Sequence, residues 1–390
     1  MFVFSCSIAT HICVISIPLG RSKFTGTANP SLSGYNDVFP RRLLIITMPL
    51  SVSHSLQPFN TLGLSQSCEQ IFEARTTEEL ISLTHSFYRK GTPALVLGGG
   101  SNLVFLEDYS GAVIRVLTKG IVVSEDDGHY YLDVAAGENW HELIEYCLMH
   151  NMPGLENMAL IPGTVGAAPI QNIGAYGIEL CDVCHWVEYF NLSTGELKRL
   201  NVEDCEFAYR ESVFKGKLRN TAVITRVGLK LAKQWLPRLN YGPLQAFDSK
   251  SVTAREIFEA VCQVRREKLP DPTVLGNVGS FFKNPLVDVL TYHSLAKQYP
   301  NIVGYAQPDG QVKLAAGWLI EAAGLKGFTL GNAAVHQRQA LVLVNNGGAS
   351  GAEICALAKY VIEQVKHKFA VVLEPEPRLI GHAGEVGIYD

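Results

Sequence analysis

The sequence predicts an α+β protein with at least two domains, and three observations lead to that class. Amphipathic helical segments and short apolar runs typical of strands occur together along the chain. A stretch rich in polar residues and proline, residues 233–252, interrupts this pattern and marks a boundary. The length of 390 residues corresponds to two or three domains of ordinary size. A composition of 47% hydrophobic and 18% charged residues excludes a disordered or fibrous protein.

The first 50 residues differ from the rest in composition. Residues 2–19 are apolar but are interrupted by polar side chains, which argues against a membrane span of about 20 apolar residues. No positive charge precedes them, which argues against a secretory signal. A surplus of basic residues up to Arg42 leaves a transit peptide as an alternative. We expect residues 1–50 to be a disordered extension, or the result of a start codon assigned upstream of Met48.

Local signals place most of the regular elements. Thr76 and Glu79 form a capping-box pattern that predicts a helix ending at Gly91. The same pattern at Thr253 and at Ser350 predicts two further helices. Strands are predicted at residues 94–97, 112–117, 130–134, 187–189, 222–231 and 371–373, and another helix at residues 140–148.

Charge and cysteine content exclude several function classes. The net charge of −4 argues against a strongly basic nucleic-acid-binding protein. Nine scattered cysteines are typical of a reducing compartment rather than of a disulfide framework. Cys181 and Cys184 form a single C-x-x-C pair without the second pair that a zinc site requires. The sequence therefore predicts no metal site and no nucleic-acid partner.

Two glycine-rich segments are candidates for binding a cofactor. In residues 97–102, glycines after a strand allow successive backbone N–H groups to converge on an anion, and Ser101 adds a hydroxyl. Neither G-x-G-x-x-G nor the Walker A lysine is present, so a common nucleotide fold is excluded. Residues 161–177 combine small residues with the uncharged amides of Gln171 and Asn172. Together they indicate a large dinucleotide, with simple turns and a tight glycine–alanine packing seam as the alternatives.

Three further segments carry residues suited to catalysis. Arg210 offers a planar donor pair to a carboxylate or an enolate, unless it forms a salt bridge with Glu211 or another acid. Ser280 lies between a glycine turn and two phenylalanines, which suggests a proton donor or a simple turn serine. Glu374 and Glu376 should share one face of an extended strand, where an apolar site could keep one of them protonated.

Taken together, these segments resemble the UDP-N-acetylenolpyruvoylglucosamine reductase family. The resemblance extends from His54 to Glu385. The segments that occur in the family order are residues 97–102, 161–177, 209–212, 268–272, 276–285, 313–320 and 373–378. Residues 240–245 resemble the tyrosine loop of the family's first type.

The resemblance implies both a fold and an activity. Residues 51–250 would form a two-lobed FAD-binding region of the vanillyl-alcohol oxidase (PCMH-type) superfamily. Residues 251–390 would form a smaller α/β substrate-binding domain whose final strand carries Glu376. The implied enzyme uses FAD, with NADPH as hydride donor, to reduce UDP-N-acetylglucosamine enolpyruvate to UDP-N-acetylmuramate for peptidoglycan synthesis. It would be a cytoplasmic monomer that acts on small molecules without a metal and without stable membrane association.

The resemblance also assigns site residues by position. The implied catalytic residues are Arg210, Ser280 and Glu376. The implied cofactor-binding residues are Gly98, Gly99, Gly100, Ser101, Asn102, Pro162, Gly163, Thr164, Gly166, Gln171, Asn172, Gly174, Ala175, Tyr176, Ile224 and Arg378. The implied substrate-binding residues are Tyr209, Tyr241, Arg265, Lys268, Asn284, Tyr305 and Gln339. Ala167 and Ala168 stand where some relatives have serines, so backbone N–H groups would have to replace the missing hydroxyls.

Two other functions remain to be distinguished from this reductase. An FAD-linked oxidase of the same superfamily would lack the surroundings of Arg210 and Ser280, and its flavin is often tethered to a histidine or cysteine. A non-catalytic nucleotide-sugar-binding protein would not need Arg210, Ser280 and Glu376 together. The presence of all three residues favours the reductase.

Overall fold

The computed structural model describes residues 53–390 of the chain. The predicted extension, residues 1–50, lies outside the described residues. Among the residues described, no helix combines the length and the apolar character that crossing a membrane requires.

Helices begin where the sequence places their capping boxes. The side chains of Thr76, Thr253 and Ser350 each accept a hydrogen bond from the backbone three residues on, and a glutamate there bonds back. Gly91 ends the first helix in a left-handed conformation, with φ +65°. Within residues 53–390 the α-helices are α1 (Thr77–Lys90), α2 (Trp140–Met149), α3 (Ala254–Lys268), α4 (Val289–Gln298), α5 (Ala316–Ala322) and α6 (Gly351–Phe369).

In the described part of the chain, the strands are mostly short and fall into six sheets. In chain order they are β1 (His54–Ser55), β2 (Ser67–Ala74), β3 (Ala94–Leu97), β4 (Leu103–Phe105), β5 (Tyr109–Val116), β6 (Ile121–Glu125), β7 (His129–Ala135), β8 (Gly174–Ala175), β9 (Ile178–Glu179), β10 (Cys184–Asn191), β11 (Glu196–Asn201), β12 (Ala222–Ala232), β13 (Gly276–Ser280), β14 (Leu286–Val287), β15 (Gly304–Ala306), β16 (Val312–Leu314), β17 (Thr329–Leu330), β18 (Ala333–Val335), β19 (Val342–Asn345), β20 (Arg378–Gly381) and β21 (Gly384–Val386). This mixture of helices and sheets is the α+β class expected from the sequence.

The first sheet delivers the glycine loop to the candidate site. Its strand order is β1-β2-β5-β3, with β5 parallel to both β2 and β3. Helix α1 packs on this sheet through Leu80, which is fully buried beside Ile114. Because β3 ends at Leu97, the glycines that follow emerge directly from the end of a buried strand.

The second sheet is antiparallel and forms the largest core together with two helices. Its order is β11-β10-β12-β7-β6. Trp140 and Ile144 of α2 and Ile257 and Val261 of α3 are buried in the same cluster as Val227 of this sheet. Helix α3 therefore belongs to the core of the N-terminal region, although it follows the boundary predicted at residue 250.

The C-terminal part forms a second core, to which Leu62, Leu64 and Val104 of the N-terminal part contribute, and its chain then returns to the N-terminal part. One sheet has the order β13-β19-β18-β17 and another the order β14-β16-β15. Phe281, Leu319 and Val361 are buried between the first of these sheets and helices α5 and α6. Strand β20 then pairs in parallel with β4, with Arg378 opposite Leu103. This pairing brings the chain around residue 376 next to the glycine loop.

The strand predicted at residues 371–373 was wrong. These residues are extended but form no ladder, and the only regular contact nearby is an isolated bridge between Pro375 and Phe282. Pro375 and Pro377 lack the N–H groups that a ladder requires, so the strand begins only at Arg378. Glu374 and Glu376 consequently have different environments: their side chains are 72% and 12% exposed.

Candidate active site

A cavity of about 490 Å³ lies where the glycine loop, the small-residue segment and the C-terminal strand meet. This volume is within the range of typical ligand pockets, about 300–1,000 Å³. Arg210, Ser280 and Glu376 all line it. The cofactor-binding positions that line it are Gly98, Gly99, Gly100, Ser101, Asn102, Pro162, Gly163, Thr164, Gly166, Gln171, Gly174, Ile224 and Arg378.

Glycine is required in the loop because the facing segment approaches closely. A Cβ on Gly98 would lie 2.6 Å from Oγ1 of Thr164, and one on Gly99 would lie 2.8 Å from Cα of Gly163. Gly100 has φ +64° and faces the Phe59 carbonyl. The N–H groups of residues 99–102 donate to no protein acceptor within residues 53–390. A run of free backbone donors facing a cavity fits the pyrophosphate of a dinucleotide.

The turn at residues 165–168 does not supply such donors. The N–H of Ala167 donates to the Thr164 carbonyl at 3.0 Å, and that of Ala168 donates to the Val165 carbonyl at 3.1 Å. The N–H of Gly166 donates to the Ala136 carbonyl. The backbone N–H groups expected to take over from the missing hydroxyls are therefore not those of Ala167 and Ala168, because this turn uses them internally.

Arg210 and Glu376 form an ion pair inside the cavity. Arg210 Nε donates to Glu376 Oε1 at 3.0 Å, and the two side chains are 19% and 12% exposed. Gln171 Nε2 donates to the same carboxylate oxygen at 3.3 Å, and Asn102 Nδ2 donates to Gln171 Oε1 at 2.8 Å. Glu376 is thus surrounded by polar donors rather than by the apolar site considered from the sequence. Of the salt bridges considered for Arg210, the partner is Glu376 and not Glu211.

The charge of Arg210 is strongly favoured. Burial lowers the pKa of Arg210, but Glu376, Tyr209 and Glu179 raise it by more, so the net pKa lies above its ordinary value. The guanidinium therefore stays protonated at any physiological pH. It can stabilise negative charge that develops on a ligand in the cavity.

The backbone at Arg210 is unusual for a residue with a side chain. Its φ is +58°, in the left-handed region. Ala208 and Glu211 exchange two backbone hydrogen bonds of 3.1 Å across it, and Lys215 Nζ donates to its carbonyl at 3.1 Å. Such a conformation persists only where surrounding contacts enforce it, and it often marks a functional site.

Arg265 presents a second guanidinium to the cavity without a protein partner. Its Nε is buried and has no hydrogen-bond partner among the described residues. Burial lowers the pKa of this arginine, although Tyr176 and Cys262 partly oppose the effect. An unpaired buried donor is costly, so a ligand acceptor such as a carbonyl or carboxylate would fit there.

The other predicted residues lie outside the lining of this cavity. Asn172 is fully buried, and its side-chain amide donates to Glu179 at 2.8 Å and to the Ala208 carbonyl at 3.2 Å. It therefore supports the Arg210 turn rather than facing the cavity. The cofactor-binding and substrate-binding positions outside the lining are Asn172, Ala175, Tyr176, Tyr209, Tyr241, Lys268, Asn284, Tyr305 and Gln339.

Several of these outlying residues contact one another. The Tyr209 hydroxyl accepts a hydrogen bond from the Asn284 backbone at 3.3 Å. Tyr241 packs edge-on against Tyr176, with ring centroids 5.8 Å apart. Tyr241 and Tyr305 are 49% and 46% exposed, so both rings present surface to solvent.

One ion-pair cluster at the cavity was not predicted from the sequence. Glu385 binds Arg219 at 2.7 Å and Arg378 at 2.8 Å, and all three residues line the cavity. Lys215 and Trp140 also line it. These residues come from distant parts of the chain, and no local motif links them. Only the return of β20 to β4 brings them together.

Comparisons with known proteins identify the family of this chain. A family profile described as an FAD binding domain matches residues 68–201. A second, described as the C-terminal domain of UDP-N-acetylenolpyruvoylglucosamine reductase, matches residues 271–380. The UDP-N-acetylenolpyruvoylglucosamine reductase of Shewanella baltica is 65% identical over 340 residues, covering 87% of this chain and 100% of that protein. The Salmonella typhimurium reductase of the same name is 51% identical over 335 residues, covering 86% and 98%.

A solved structure shows the same fold. The UDP-N-acetylenolpyruvylglucosamine reductase of Thermus caldophilus superposes with a TM-score of 0.56 at 24% identity, covering 84% of this chain and 97% of that one. The fold class, the enzyme class and the FAD cofactor expected from the sequence are confirmed, and the FAD-linked oxidase is not favoured. The chain belongs to the UDP-N-acetylenolpyruvoylglucosamine reductase family, and it is an FAD-dependent oxidoreductase.

Proposed function

We propose that this chain reduces the enolpyruvyl group of UDP-N-acetylglucosamine enolpyruvate to the lactyl ether of UDP-N-acetylmuramate. NADPH is the reductant, and the product enters peptidoglycan synthesis. The supporting observation is that the Arg210–Glu376 ion pair and Ser280 line the same cavity as the free donors of the glycine loop.

The residues around the cavity fit FAD. When bound, FAD accepts a hydride from NADPH and supplies it to the double bond of the substrate. The N–H groups of residues 99–102 would hold its pyrophosphate. Gln171 lines the cavity with an amide that can serve the flavin edge, and Arg265 offers its unpaired Nε to a flavin carbonyl or a substrate carboxylate.

Arg210 and Ser280 then act on the substrate. Hydride addition to the terminal vinyl carbon leaves an electron pair on the carboxylate-bearing carbon, where it is delocalised as an enolate. The Arg210 guanidinium stabilises this charge, and Glu376 holds the guanidinium in place through Nε. Ser280 donates its hydroxyl proton to the carbon and regains one from water. The substrate thus gains one hydride and one proton, as the reduction requires.

The remaining expectations are part of the same proposal. Residues 51–250 bind FAD and residues 251–390 complete the substrate site. The enzyme works in the cytoplasm as a monomer on small molecules, without nucleic acid. The seven described cysteines are all free thiols, which supports the reducing compartment in this proposal.

A spectrum of the purified protein tests the function. We expect a flavin absorption band that NADPH bleaches without oxygen, and that the enolpyruvyl nucleotide sugar restores. A protein without flavin would contradict the proposal, as would reduced flavin that oxygen reoxidises but this substrate does not.

A further inference from the structure

One lysine outside the cavity contacts all three segments that carry the predicted catalytic residues. Lys283 follows Ser280 by three residues, and its side chain is only 16% exposed. Its Nζ lies 2.8 Å from Glu211, the residue after Arg210, and 3.4 Å from Glu374, two residues before Glu376. Lys283 itself does not line the cavity.

Backbone contacts fix two of these segments in register. The N–H of Lys283 donates to the Glu374 carbonyl at 2.9 Å, and the N–H of Glu376 donates to the Phe281 carbonyl at 2.8 Å. Phe282 and Pro375 form the bridge between them. The segments that follow Ser280 and precede Glu376 are therefore held together by main-chain hydrogen bonds as well as by the lysine.

The third segment depends on side chains. Arg210 lies in a turn with φ +58°, and Glu211 closes that turn by its backbone bonds to Ala208. Glu211 is also the residue whose carboxylate reaches Lys283 at 2.8 Å. Among the described residues, two side-chain links join the Arg210 turn to the segment after Ser280: this ion pair, and the Tyr209 hydroxyl, which accepts a hydrogen bond from the Asn284 N–H at 3.3 Å. The ion pair is the shorter and the charged one. The left-handed backbone at Arg210 persists only where contacts with other segments hold it in place.

The charges of the cluster support a strong link. Burial raises the pKa of Glu211, but Lys283 and Lys215 together lower it by more than burial raises it. The net pKa of Glu211 therefore lies below its ordinary value. Burial lowers the pKa of Lys283, but Glu211 and Glu374 raise it by more, so its net pKa is raised. Both groups are charged at neutral pH. A partly buried pair of this kind is screened less than one on the open surface.

We propose that Lys283 is a positioning residue for the reduction. It fixes the Arg210 turn against the segments that carry Ser280 and Glu376, so that the guanidinium faces the carbon that Ser280 protonates. This inference rests on the roles proposed above for those three residues. Lys283 does not touch the reacting atoms, and its effect is transmitted through Glu211 and Glu374.

The test compares Lys283→Met with Lys283→Arg and with Lys326→Met. Lys326 forms an ion pair of the same length, 2.8 Å, with Glu321 outside the cavity lining, so it is a matched control. The two half-reactions are measured separately without oxygen, together with flavin content and Tm. In Lys283→Met we expect substrate-driven flavin reoxidation to slow by about 10²-fold, as for a small misplacement of reacting groups.

The other measurements distinguish positioning from simple support of the fold. Flavin reduction by NADPH should stay within about twofold in Lys283→Met, since no substrate carbanion forms there. Lys283→Arg should restore most of the reoxidation rate, and Lys326→Met should behave as the parent enzyme. An unchanged reoxidation rate would overturn the inference. Equal slowing of both half-reactions with a lower Tm would also overturn it, because that is the signature of a structural role.

Two further variants separate this inference from the proposed function. Glu211→Gln should slow reoxidation as Lys283→Met does, and the double variant should be no slower than either, because the two residues act as a pair. If the double variant were slower than either single variant by the product of their separate effects on reoxidation, the inference would be overturned. Arg210→Lys is measured beside them. If it slows reoxidation but Lys283→Met does not, only the inference fails; if neither does, the proposed role of Arg210 fails.

Discussion

The Arg210 guanidinium has two structural features that the presence of an arginine in the sequence does not reveal. It is bound at Nε by Glu376, and it is carried on a left-handed backbone. The sequence indicated a guanidinium suited to an enolate and left its salt-bridge partner open. The partner lies 166 residues away, so only the fold could identify it. The chemical role of Arg210 could therefore be predicted from its residue type and its sequence neighbours, whereas its ion-pair partner could not.

Replacing Arg210 by lysine keeps the charge but removes the planar donor pair. Lysine cannot hold Glu376 through one nitrogen while presenting others to the substrate. We expect Arg210→Lys to slow flavin reoxidation by the enolpyruvyl substrate and to leave reduction by NADPH nearly unchanged. Stopped-flow spectroscopy of each half-reaction measures this. Equal slowing of the two would show that Arg210 does not act on the enolate.

Substitutions of Ser280 test directly whether this residue donates the proton. If it protonates the carbon, Ser280→Ala should reduce turnover by about 10²–10⁴-fold, the usual range for a general acid. Loss of one hydroxyl at a half-buried site should leave Tm and FAD content nearly unchanged. Ser280→Cys should keep partial activity, because a thiol can also donate a proton.

The alternative for Ser280 gives the opposite pattern. A serine needed only for the turn after Gly279 would show a lower Tm with a modest loss of rate when replaced by alanine. Reduction of the flavin by NADPH is the internal control, since it requires no proton from this residue. A reoxidation rate close to that of the parent enzyme in Ser280→Ala would rule out the proton donor.

At the scale of secondary-structure elements, short sequence patterns predicted several helix starts correctly, because interactions within one helical turn determine them. The capping boxes at Thr76, Thr253 and Ser350 form as expected, because each depends on residues within one turn. The strand at residues 371–373 failed because pairing is set by distant partners, and prolines block the ladder there. The short strands of the C-terminal sheets were not predicted, because their pairing also depends on distant partners. Two or three residues carry too little periodicity to be recognised.

The glycine loop allows a prediction about cofactor affinity. In Gly99→Ala the new Cβ would lie 2.8 Å from Cα of Gly163, so the two segments must separate. Overpacking of this kind typically costs about 1–3 kcal/mol, and a cost of this size corresponds to a loss of FAD affinity of about 5- to 150-fold. Titration of the apoprotein with FAD, followed by flavin fluorescence, measures it.

Gly128 provides the control for this substitution. Its Cβ would meet nothing closer than Asp126 Oδ1 at 3.8 Å, in an exposed turn away from the cavity. Gly128→Ala should bind FAD as the parent chain does. Equal affinity in Gly99→Ala and Gly128→Ala would show that the close approach of the two segments has no part in holding the cofactor.

At the scale of the whole molecule, the cavity joins parts that the sequence separates. It is lined by residues from Thr84 to Glu385 and touches the N-terminal sheet, α3 and the last strands. The order of the segments along the chain was predictable from the family resemblance. The return of β20 to β4 was not, because parallel pairing over so long a separation leaves no local pattern. The domain boundary at residue 250 remains a proposal.

This arrangement predicts how FAD affects stability. A ligand that binds only the folded state stabilises it by about 2.7 kcal/mol at a concentration 100 times its Kd. Because residues of both proposed domains line the cavity, FAD should raise the Tm of one cooperative transition that includes them both. Calorimetry of the apoprotein with increasing FAD measures this, and FMN serves as the control, since it lacks the pyrophosphate and adenosine that the glycine loop would hold. If FAD shifted one of two separate transitions and left the other in place, the two domains would unfold independently. FAD would then be held by one domain alone, although residues of both line the cavity.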